Sequence, residues 1–390
     1  MKSSYRPNQH TAFAVTAPGL EPLCAAELRA LEVRATAEEG GVQWDGSLES
    51  IARANLWLRT ASRVLVRVAE FEATAFYELE LHAKRIAWDR FVAAGSSVEF
   101  RVTCRKSKLY HSDAVAQRFT QAVQRLVPSV RIAKRKAADD EDDSGEATDR
   151  QLFVVRFVHD VCTVSVDSSG PLLHRRGYRQ QVAKAPLRET LAAAILFGAG
   201  WNADVPLIDP MCGSGTIPIE AARLARFIAP GRDRGFAFLR WPEVEQQMWN
   251  KLLDHARSGE LPSSPVEIVG ADRDGGAIEA ARANAERAGV SDDVEFRVQP
   301  VSAMQPAEPP GLIATNPPYG VRIGESDPLR NLYAQLGNVT RAQRAGWTLA
   351  MLSADRQLER QTGLTFVEQL RTRNGGIPVH LVTTTVGGST

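Results

Sequence analysis

The 390-residue sequence has few cysteines and histidines, and neither type forms a cluster. The four cysteines lie far apart, without a CxxC pair, and the seven histidines are equally scattered. Structural zinc sites need cysteine and histidine ligands at short, fixed spacings, and disulfide scaffolds are small, cysteine-dense secreted chains. The sequence therefore predicts no structural metal, and we expect reduced thiols in a cytoplasmic protein.

Long hydrophobic runs and an overall charge are absent as well. No apolar run approaches the roughly 20 residues that a membrane helix needs, and the first ten residues lack the apolar stretch of a secretory signal. We expect no membrane partner. The 47 basic and 46 acidic residues nearly cancel. Any attraction for nucleic acid must therefore come from a local cluster of cations.

The composition is otherwise typical of a soluble globular protein, with 44% hydrophobic and 24% charged residues. The length suggests two or three domains, since a domain usually spans about 100–200 residues. Strand and helix signals alternate through residues 1–75, which predicts a small α+β domain. A second α+β unit is expected over residues 76–170. The third region, residues 171–390, has a different pattern.

One segment of the second unit is strongly basic. Residues 101–136 contain ten basic residues and one acidic residue, whereas residues 137–149 contain seven acidic residues and no basic one. The acidic run predicts a flexible loop. The basic window favours RNA binding, because cations and aromatics in one loop suit phosphate contacts and base stacking; a solvated helix face is the alternative. The candidate RNA contacts here are Arg105, Lys106, Lys108 and His111.

Units of strand, loop and helix repeat in the third region. The segment PLIDPMCGSGTIPIEAARLARF predicts one such unit, and VEIVGADRDGGAIEAARANAERAGV predicts another. Two further strands, in VEFRVQP and GLIATNPPYG, complete a βαβαβ series, which predicts a doubly wound parallel sheet. Ligands of such sheets bind at the carboxyl ends of the strands. The loops that follow these strands therefore form the candidate site.

Two of these loops suit a ligand that carries a ribose and a carboxylate or phosphate. The glycines of DPMCGSGT, residues 209–216, allow a tight turn, and the next helix offers free N–H groups; an ordinary strand-to-helix turn is the alternative. Asp272 ends the second strand, where an acid can bind ribose hydroxyls. Asp274 is the better N-cap for the following helix, so Asp272 is left for a ligand.

The sequence Asn316-Pro317-Pro318-Tyr319 is the most specific signal in the chain. Consecutive prolines after a buried strand remove backbone donors and fix φ, so they predict a rigid loop with unpaired carbonyl groups. An aromatic amine is a poor nucleophile, and acceptors on both of its N–H bonds would localise its lone pair. The Asn316 side-chain oxygen and the Pro317 carbonyl are the candidate acceptors, with Tyr319 stacking on an extruded base. A rigid strand-end turn is the alternative.

These motifs resemble a known family. DPMCGSGT, GADRD and NPPYG look like the S-adenosylmethionine loop, the ribose-binding acid and the target-amine loop of class I amino-methyltransferases. TAPGLEPLCAAEL, SSGPLLHRRGYR and APLRETLAAAIL are similar to the RlmL-type 23S ribosomal RNA guanine-N2 methyltransferases and to relatives once labelled adenine-specific DNA methylases. The resemblance implies an α/β protein: a ferredoxin-like domain, then a THUMP RNA-binding domain, then a Rossmann-like methyltransferase domain.

The resemblance also implies roles for individual residues. The base would be held by Asn316, Pro317, Pro318 and Tyr319. The HRRGYR segment resembles the first cofactor-side motif, and its Arg175 and Arg176 join the candidate RNA contacts. The candidate contacts to S-adenosylmethionine are Arg179, Pro186, Leu187, Asp209, Pro210, Cys212, Gly213, Ser214, Gly215, Thr216, Asp272 and Arg273.

One position departs from the family pattern. The family usually has an acid after the third strand that contacts adenine, and this chain has Gln299 and Ser302 there instead. The implied function is transfer of a methyl group to an exocyclic amine, guanine N2 of 23S ribosomal RNA. The alternatives are guanine-N2 methylation of transfer RNA, a DNA adenine methylase, and a non-catalytic ribosome-assembly factor. The oligomeric state is open, with a monomer as the expectation.

Overall fold

The computed structural model describes residues 9–133, 150–180, 187–304, 309–319, 326–343 and 345–387. The predicted acidic loop, residues 137–149, lies outside the described residues, as does Pro186. The chain divides into two compact units. The first draws its described residues from 1–15, 25–173 and 234–254, and the second from 16–24, 174–233 and 255–390.

The first unit is built on one eight-stranded sheet. Its order is β2-β3-β1-β4-β8-β7-β5-β6, and β5 runs parallel to both of its neighbours. The other pairings with a recorded register are antiparallel. The elements up to residue 167 are β1 (His10–Thr16), α1 (Glu21–Ala30), β2 (Ala35–Glu38), β3 (Gly41–Gly46), α2 (Leu48–Trp57), β4 (Ala61–Glu72), α3 (Phe76–Ala83), β5 (Ser97–Arg105), α4 (Ser112–Leu126), β6 (Arg131–Ile132), β7 (Arg150–Val158) and β8 (Val161–Asp167).

An aromatic cluster forms part of the core of the first unit. Trp88 is 1% exposed and meets the rings of Phe100, Phe119 and Phe153 at centroid distances of 5.9, 6.0 and 5.1 Å. These phenylalanines come from β5, α4 and β7, and the edge-to-face contacts fix those elements against one another. The apolar side chains that alternate along these strands therefore pack into one shared core.

The sheet joins the two N-terminal domains that the sequence predicted. Strand β4, before the expected boundary at residue 75, pairs with β8 from the second predicted domain over residues 65–72 and 161–167. The segment 234–254 also clusters with this unit. Its Trp241 donates an indole hydrogen bond to Gln151 at 2.7 Å, and Trp249 packs on Phe238. A linear division of the sequence could not show this return of the chain.

The second unit contains the predicted parallel sheet. Its order is β11-β10-β9-β12-β13-β15-β14, parallel from β11 to β13 and antiparallel for the last hairpin. The elements from residue 189 onward are α5 (Glu189–Gly198), β9 (Leu207–Asp209), α6 (Thr216–Ala225), α7 (Gln246–Ser258), β10 (Ile268–Asp272), α8 (Gly275–Ala288), β11 (Glu295–Val298), β12 (Leu312–Thr315), α9 (Ser326–Gln343), β13 (Thr348–Ser353), α10 (Arg356–Gln361), β14 (Val367–Asn374) and β15 (Ile377–Thr385). Most of α7, up to residue 254, belongs to the first unit, and the other elements belong to the second.

Two glycines determine where the final hairpin lies. Gly19 has φ +84°, and a Cβ there would stand 1.8 Å from the carbonyl oxygen of Arg371 on β14. A Cβ on Gly198 would stand 2.5 Å from the Leu381 side chain on β15. Because both positions lack a side chain, the backbone can approach the hairpin closely. Among the described residues, no helix combines the length and apolar character needed to cross a membrane.

Candidate active site

The predicted loops meet at the carboxyl ends of three parallel strands. Strand β9 lies between β10 and β12, so Asp209, Asp272 and Asn316 come to the same edge of the sheet. They line a cavity of about 460 Å³. The other predicted residues that line it are Leu187, Pro210, Cys212, Gly213, Ser214, Thr216, Arg273 and Pro318.

Main-chain bonds to two acids fix the loop between β9 and α6. Asp209 Oδ1 accepts the Met211 N–H at 3.1 Å, and Asp272 Oδ2 accepts the Gly213 N–H at 3.0 Å. Gly213 and Gly215 have φ of +52° and +84°, in the left-handed region that favours glycine. A Cβ on Gly215 would meet the Ala281 Cβ at 3.0 Å. The glycines are thus required by the turn and, at Gly215, by close packing.

Asp209 is a buried acid beside a second acid. Its side chain is 1% exposed, and burial raises its pKa to about 7, with the Met211 N–H acting against the shift and Asp272 adding to it. Burial likewise raises the pKa of the neighbouring Cys212 thiol, so this cysteine is neutral at physiological pH. The floor of the cavity, where Asp209 lies, therefore favours a cationic ligand group. Such a cation would lower the pKa of Asp209 and return the carboxyl to its ionised form.

Asp274 caps α8, as the sequence predicted, and Asp272 does not. The Asp274 carboxylate accepts the Gly276 N–H at 2.8 Å and caps α8. Asp272 ends β10, and its two oxygens accept the N–H groups of Gly213 and Asp274. A carboxylate has about four acceptor positions, so Asp272 keeps capacity for hydroxyl donors in the cavity.

The loop after β12 presents an unused acceptor. Asn316 Oδ1 is buried and has no hydrogen-bond partner among the described residues. Buried polar atoms are almost always paired, so an orphan acceptor on a cavity wall is a functional signal. Pro317 is buried behind it and Pro318 is exposed. Tyr319 packs partly against the core of the second unit and accepts a hydrogen bond from Asn374 Nδ2 at 2.6 Å.

Three other predicted residues lie in the loops around the cavity but do not line it. Gly215 supplies the turn before α6. Pro317 and Tyr319 belong to the loop after β12 but are not among the residues that line the cavity.

Arg179 also acts indirectly. It donates to the Leu187 carbonyl at 2.7 Å and pairs with Glu189 at 3.0 Å, so it holds a residue of the cavity wall. Burial raises the pKa of Glu189 to about 7, with Arg179 acting against that shift.

The predicted RNA contacts fall into two groups. Arg105, Lys106, Lys108 and His111 are exposed in the first unit. Arg176 instead is 2% exposed and lies 3.7 Å from the buried Glu220 carboxylate. The prediction that Arg176 contacts RNA therefore does not fit its position, because its charge is used inside the second unit. Arg175 beside it is half-buried.

The loop after β5 is held by a hairpin turn. Asp160 has φ +65° in the turn between β7 and β8, and its carboxylate accepts the Lys108 N–H at 2.6 Å. Its own N–H donates to Ser107 Oγ at 3.0 Å. Tyr110 is 68% exposed, with its ring 4.0 Å from that of His111. The basic residues and the aromatic pair are thus presented on an ordered loop.

Sequence reasoning missed several cavity residues. They are Met211, Ile217, Asp274, Pro300, Val301, Leu332 and Gln335. Pro300 and Val301 follow β11 directly, and their position after a parallel strand was an available signal. Leu332 and Gln335 come from α9, and no motif marks that helix. Gln299 donates from its side-chain amide to the Ala303 carbonyl, so it stabilises a turn in place of the absent acid.

Among the residues that the structure describes, no group of three or more histidine, cysteine or acidic side chains is arranged to hold a metal ion. The polar character of the cavity comes from three aspartates, glycine-rich backbone and the Asn316 amide.

Comparison with known proteins identifies the family. Residues 176–383 match the family described as RMKL-like, methyltransferase domain, and residues 11–65 match the RlmL ferredoxin-like domain. A Synechocystis protein, slr0064, provisionally named an RNA methyltransferase, is 33% identical over 97% of this chain and 98% of its own length. The ribosomal RNA large subunit methyltransferase K/L of Syntrophotalea carbinolica is 39% identical over 95% of this chain.

This chain covers 53% of that second relative, so it spans about half its length. Among solved structures, SMU.472, provisionally named a methyltransferase and solved in complex with SAH, superposes with a TM-score of 0.86. It is 29% identical, with complete coverage of both chains. These matches confirm the ferredoxin-like and Rossmann-like folds predicted from the sequence, and the chain belongs to the family of RMKL-like methyltransferases.

Proposed function

We propose that this protein transfers a methyl group from S-adenosylmethionine to an exocyclic amine of an RNA base, with guanine N2 of 23S ribosomal RNA as the target. The observation that carries the proposal is the buried, unpaired Oδ1 of Asn316 on the wall of the cavity. An amide oxygen there accepts an N–H bond of an aromatic amine. No other described group uses that atom.

The residues around the cavity suit the methyl donor. Asp209, at the buried base, fits the cationic amino-acid end, and the N–H groups after Gly215 at the start of α6 fit its carboxylate. Asp272 retains acceptor capacity for the ribose hydroxyls. Leu187 and Val301 supply apolar wall. The related SMU.472 structure holds the demethylated product of this donor, which supports the same use here.

The reaction needs orientation more than acid–base chemistry. S-adenosylmethionine supplies an electrophilic methyl group whose carbon–sulfur bond breaks as a carbon–nitrogen bond forms. Asn316 Oδ1 and the Pro317 carbonyl would accept the two amine N–H bonds, which directs the nitrogen lone pair at the methyl carbon. The amine becomes acidic as it is methylated, so its proton can leave to water through either acceptor. Positioning of this kind accounts for a large part of enzymatic rate enhancement.

The first unit would bind the RNA. Its ordered loop presents Arg105, Lys106 and Lys108 beside the exposed Tyr110 and His111. Cations neutralise phosphates and aromatics stack on unpaired bases, so this loop suits structured RNA with single-stranded parts. We propose that residues 76–170 act as the THUMP-type RNA-binding domain.

The choice of guanine N2 and of 23S ribosomal RNA depends on the relatives. The K/L protein is named for the large ribosomal subunit, and this chain matches about half of it. Adenine N6 is also an exocyclic amine, so Asn316 does not by itself distinguish the bases. Transfer RNA is the second candidate, because an RNA-binding unit of this kind can also present tRNA.

The test is tritium transfer from labelled S-adenosylmethionine to total RNA from a deletion strain, followed by digestion to nucleosides. We expect label in N2-methylguanosine of the large ribosomal RNA. Asn316→Ala should lower the transfer rate by about a hundredfold or more, as loss of a transition-state hydrogen-bond partner does elsewhere. Asn250→Ala, which removes an exposed asparagine of α7, is the control and should retain the rate.

The outcomes separate the alternatives. The same label in tRNA would move the substrate to the second candidate. In a parallel assay with duplex DNA, label in N6-methyl-2′-deoxyadenosine and none in RNA would overturn the RNA proposal. RNA binding without transfer to any substrate would favour a non-catalytic assembly factor.

A further inference from the structure

A side chain outside the cavity contacts the loop that would hold the target base. Asn374 ends β14, and its Nδ2 donates to the Tyr319 hydroxyl at 2.6 Å. The two residues are 55 positions apart in the sequence, so no local motif links them. We propose that Asn374 is a positioning residue, which orients Tyr319 for stacking against the target base. This inference rests on the proposed function.

The hydrogen bond acts at the most effective point on the ring. The hydroxyl is the tyrosine atom farthest from the backbone, so a partner there restrains both side-chain torsions. The backbone end is already restrained, because Pro317 and Pro318 precede Tyr319 and fix their φ angles. The Tyr319 side chain also packs against the core of the second unit. With Asn374 in place, Tyr319 is held at both ends.

The position of Asn374 is itself fixed by a tight turn. Gly375 and Gly376 have φ of +53° and +85°, and Asn374 pairs directly with Ile377 across the hairpin. Positive φ angles at both central residues define a type I′ turn, whose backbone twist matches the twist of the two flanking strands. Glycine adopts these angles without strain. The Asn374 amide therefore has a defined place relative to the sheet.

The hairpin is anchored from behind as well. The Arg371 carbonyl on β14 lies so close to Gly19 that any side chain there would clash. Leu370, on the same strand, packs against the same apolar cluster as Tyr319. The hairpin and the loop after β12 thus pack against the same apolar core. Asn374 links the two segments by its hydrogen bond to the Tyr319 hydroxyl.

A second amide in the hairpin offers a matched control. Gln369 Nε2 donates to Thr383 Oγ1 at 2.7 Å, so it too links a side-chain amide to a hydroxyl. It does not contact Tyr319. Gln369→Ala removes an equivalent bond from the same hairpin, and any effect of general loosening should appear in both variants.

The test is a double-mutant cycle on methyl transfer with the Asn374→Ala and Tyr319→Phe variants. Each single change removes the same hydrogen bond, so we expect each to lower kcat by about three- to tenfold, the range for a neutral hydrogen bond. The double variant should be no slower than either single variant. The Kd for S-adenosylmethionine should be unchanged in all three, and Gln369→Ala should retain the wild-type kcat.

A conservative variant provides a rescue. In Asn374→Asp the carboxylate cannot donate, but it can accept the proton of the Tyr319 hydroxyl. We expect this variant to recover most of the rate in the presence of Tyr319 and none in the Tyr319→Phe background. Additive losses, or equal losses in Gln369→Ala, would overturn the positioning role of Asn374.

An assay independent of catalysis distinguishes failure of this inference from failure of the proposed function. The Asn374 amide acts to lower the pKa of Tyr319, which burial raises. With ¹³C-labelled tyrosine, the resonance that is absent in Tyr319→Phe should titrate at higher pH in Asn374→Ala. An unchanged titration overturns the inference. Wild-type protein that methylates no RNA would overturn the proposed function, whereas the titration would still show whether Asn374 holds the Tyr319 hydroxyl.

Discussion

The cavity of the second unit and the basic loop of the first unit use polar side chains in opposite ways. In the cavity the carboxylates hold the backbone of the loop: the buried Asp209 accepts the Met211 N–H, and the half-buried Asp272 accepts the Gly213 N–H. On the loop the cations are exposed, and Asp160 fixes the loop through the Lys108 N–H and the Ser107 hydroxyl. When a buried group loses its partner, no water can take the partner's place, whereas water can solvate an exposed cation. The cavity should therefore respond strongly to single changes, and the loop weakly.

The largest effect is expected from Asp272→Ala. The change leaves the Gly213 N–H without its acceptor and removes the acid available to the ribose. Loss of a charged hydrogen-bond partner costs about 2–3 kcal/mol, so the Kd for S-adenosylmethionine should rise roughly 30- to 150-fold in calorimetric titration.

Asp274→Ala is the comparison for this variant, because that acid mainly caps α8. It should lower the free energy of unfolding by about 1 kcal/mol, with a much smaller change in affinity. Equal losses of affinity in the two variants would mean that affinity depends on the total negative charge at this edge of the sheet and not on Asp272 in particular.

The second effect is a pH dependence that only the buried site should show. Burial raises the pKa of Asp209 from 3.8 to about 7. Below that pKa the carboxyl is protonated and cannot pair with a cation, so affinity for S-adenosylmethionine should rise with pH up to about 7. The slope should approach tenfold per pH unit at its steepest.

The same shift has the opposite sign for stability. Between about pH 4 and pH 7 the folded protein binds a proton at Asp209 that the unfolded chain does not, so stability contributed by this group falls as pH rises through that window. Asp209→Asn keeps an acceptor for the Met211 N–H and should remove the pH dependence of affinity. It should remove only the Asp209 share of the stability dependence, because burial also raises the pKa of Glu189 to about 7. An unchanged pH profile in that variant would show that another group titrates.

The third effect compares two glycines of one loop. Both Gly213 and Gly215 have positive φ, but only at Gly215 would a Cβ meet close neighbours, Ala281 and Phe296. Gly213→Ala should cost about 1 kcal/mol of unfolding free energy from backbone strain alone, and Gly215→Ala about 2 kcal/mol or more. Urea denaturation measures both. Equal losses of unfolding free energy in the two variants would show that the Phe296 ring can move aside without a loss of stability.

The sequence could indicate which loops line the cavity, because each of these loops directly follows a strand. The motifs at Asp209, Asp272 and Asn316 each come at the carboxyl end of a parallel strand, and topology brings those ends together. The contributions of Gln335 on α9 and Asn374 on β14 could not be predicted, since each depends on packing between segments far apart in the sequence.

The domain limits were harder to predict for a related reason. Strand β4 pairs with β8 almost 100 residues away, and residues 234–254 return to the first unit by burying Trp241 against Gln151. Arg176 shows the same limit for a single residue. A run of arginines predicts a solvated or RNA-facing surface, and only the fold shows that Glu220 takes this one into the interior.

The smallest effect is expected from Lys106→Ala on the basic loop. Lys106 is exposed, so under the proposed function its loss would remove one phosphate contact without leaving a buried partner. RNA affinity should fall by a few-fold, and the slope of log Kd against log salt concentration should decrease by about 1, while the Kd for S-adenosylmethionine stays the same. Asp160→Ala tests the loop differently, because it leaves every cation present and removes the acceptor that orders Lys108. If Asp160→Ala weakens RNA binding with no change in the salt slope, the order of the loop contributes to recognition beyond its charge. A full loss of binding from Lys106→Ala alone would instead contradict the contrast between an exposed, additive surface and a buried, cooperative site.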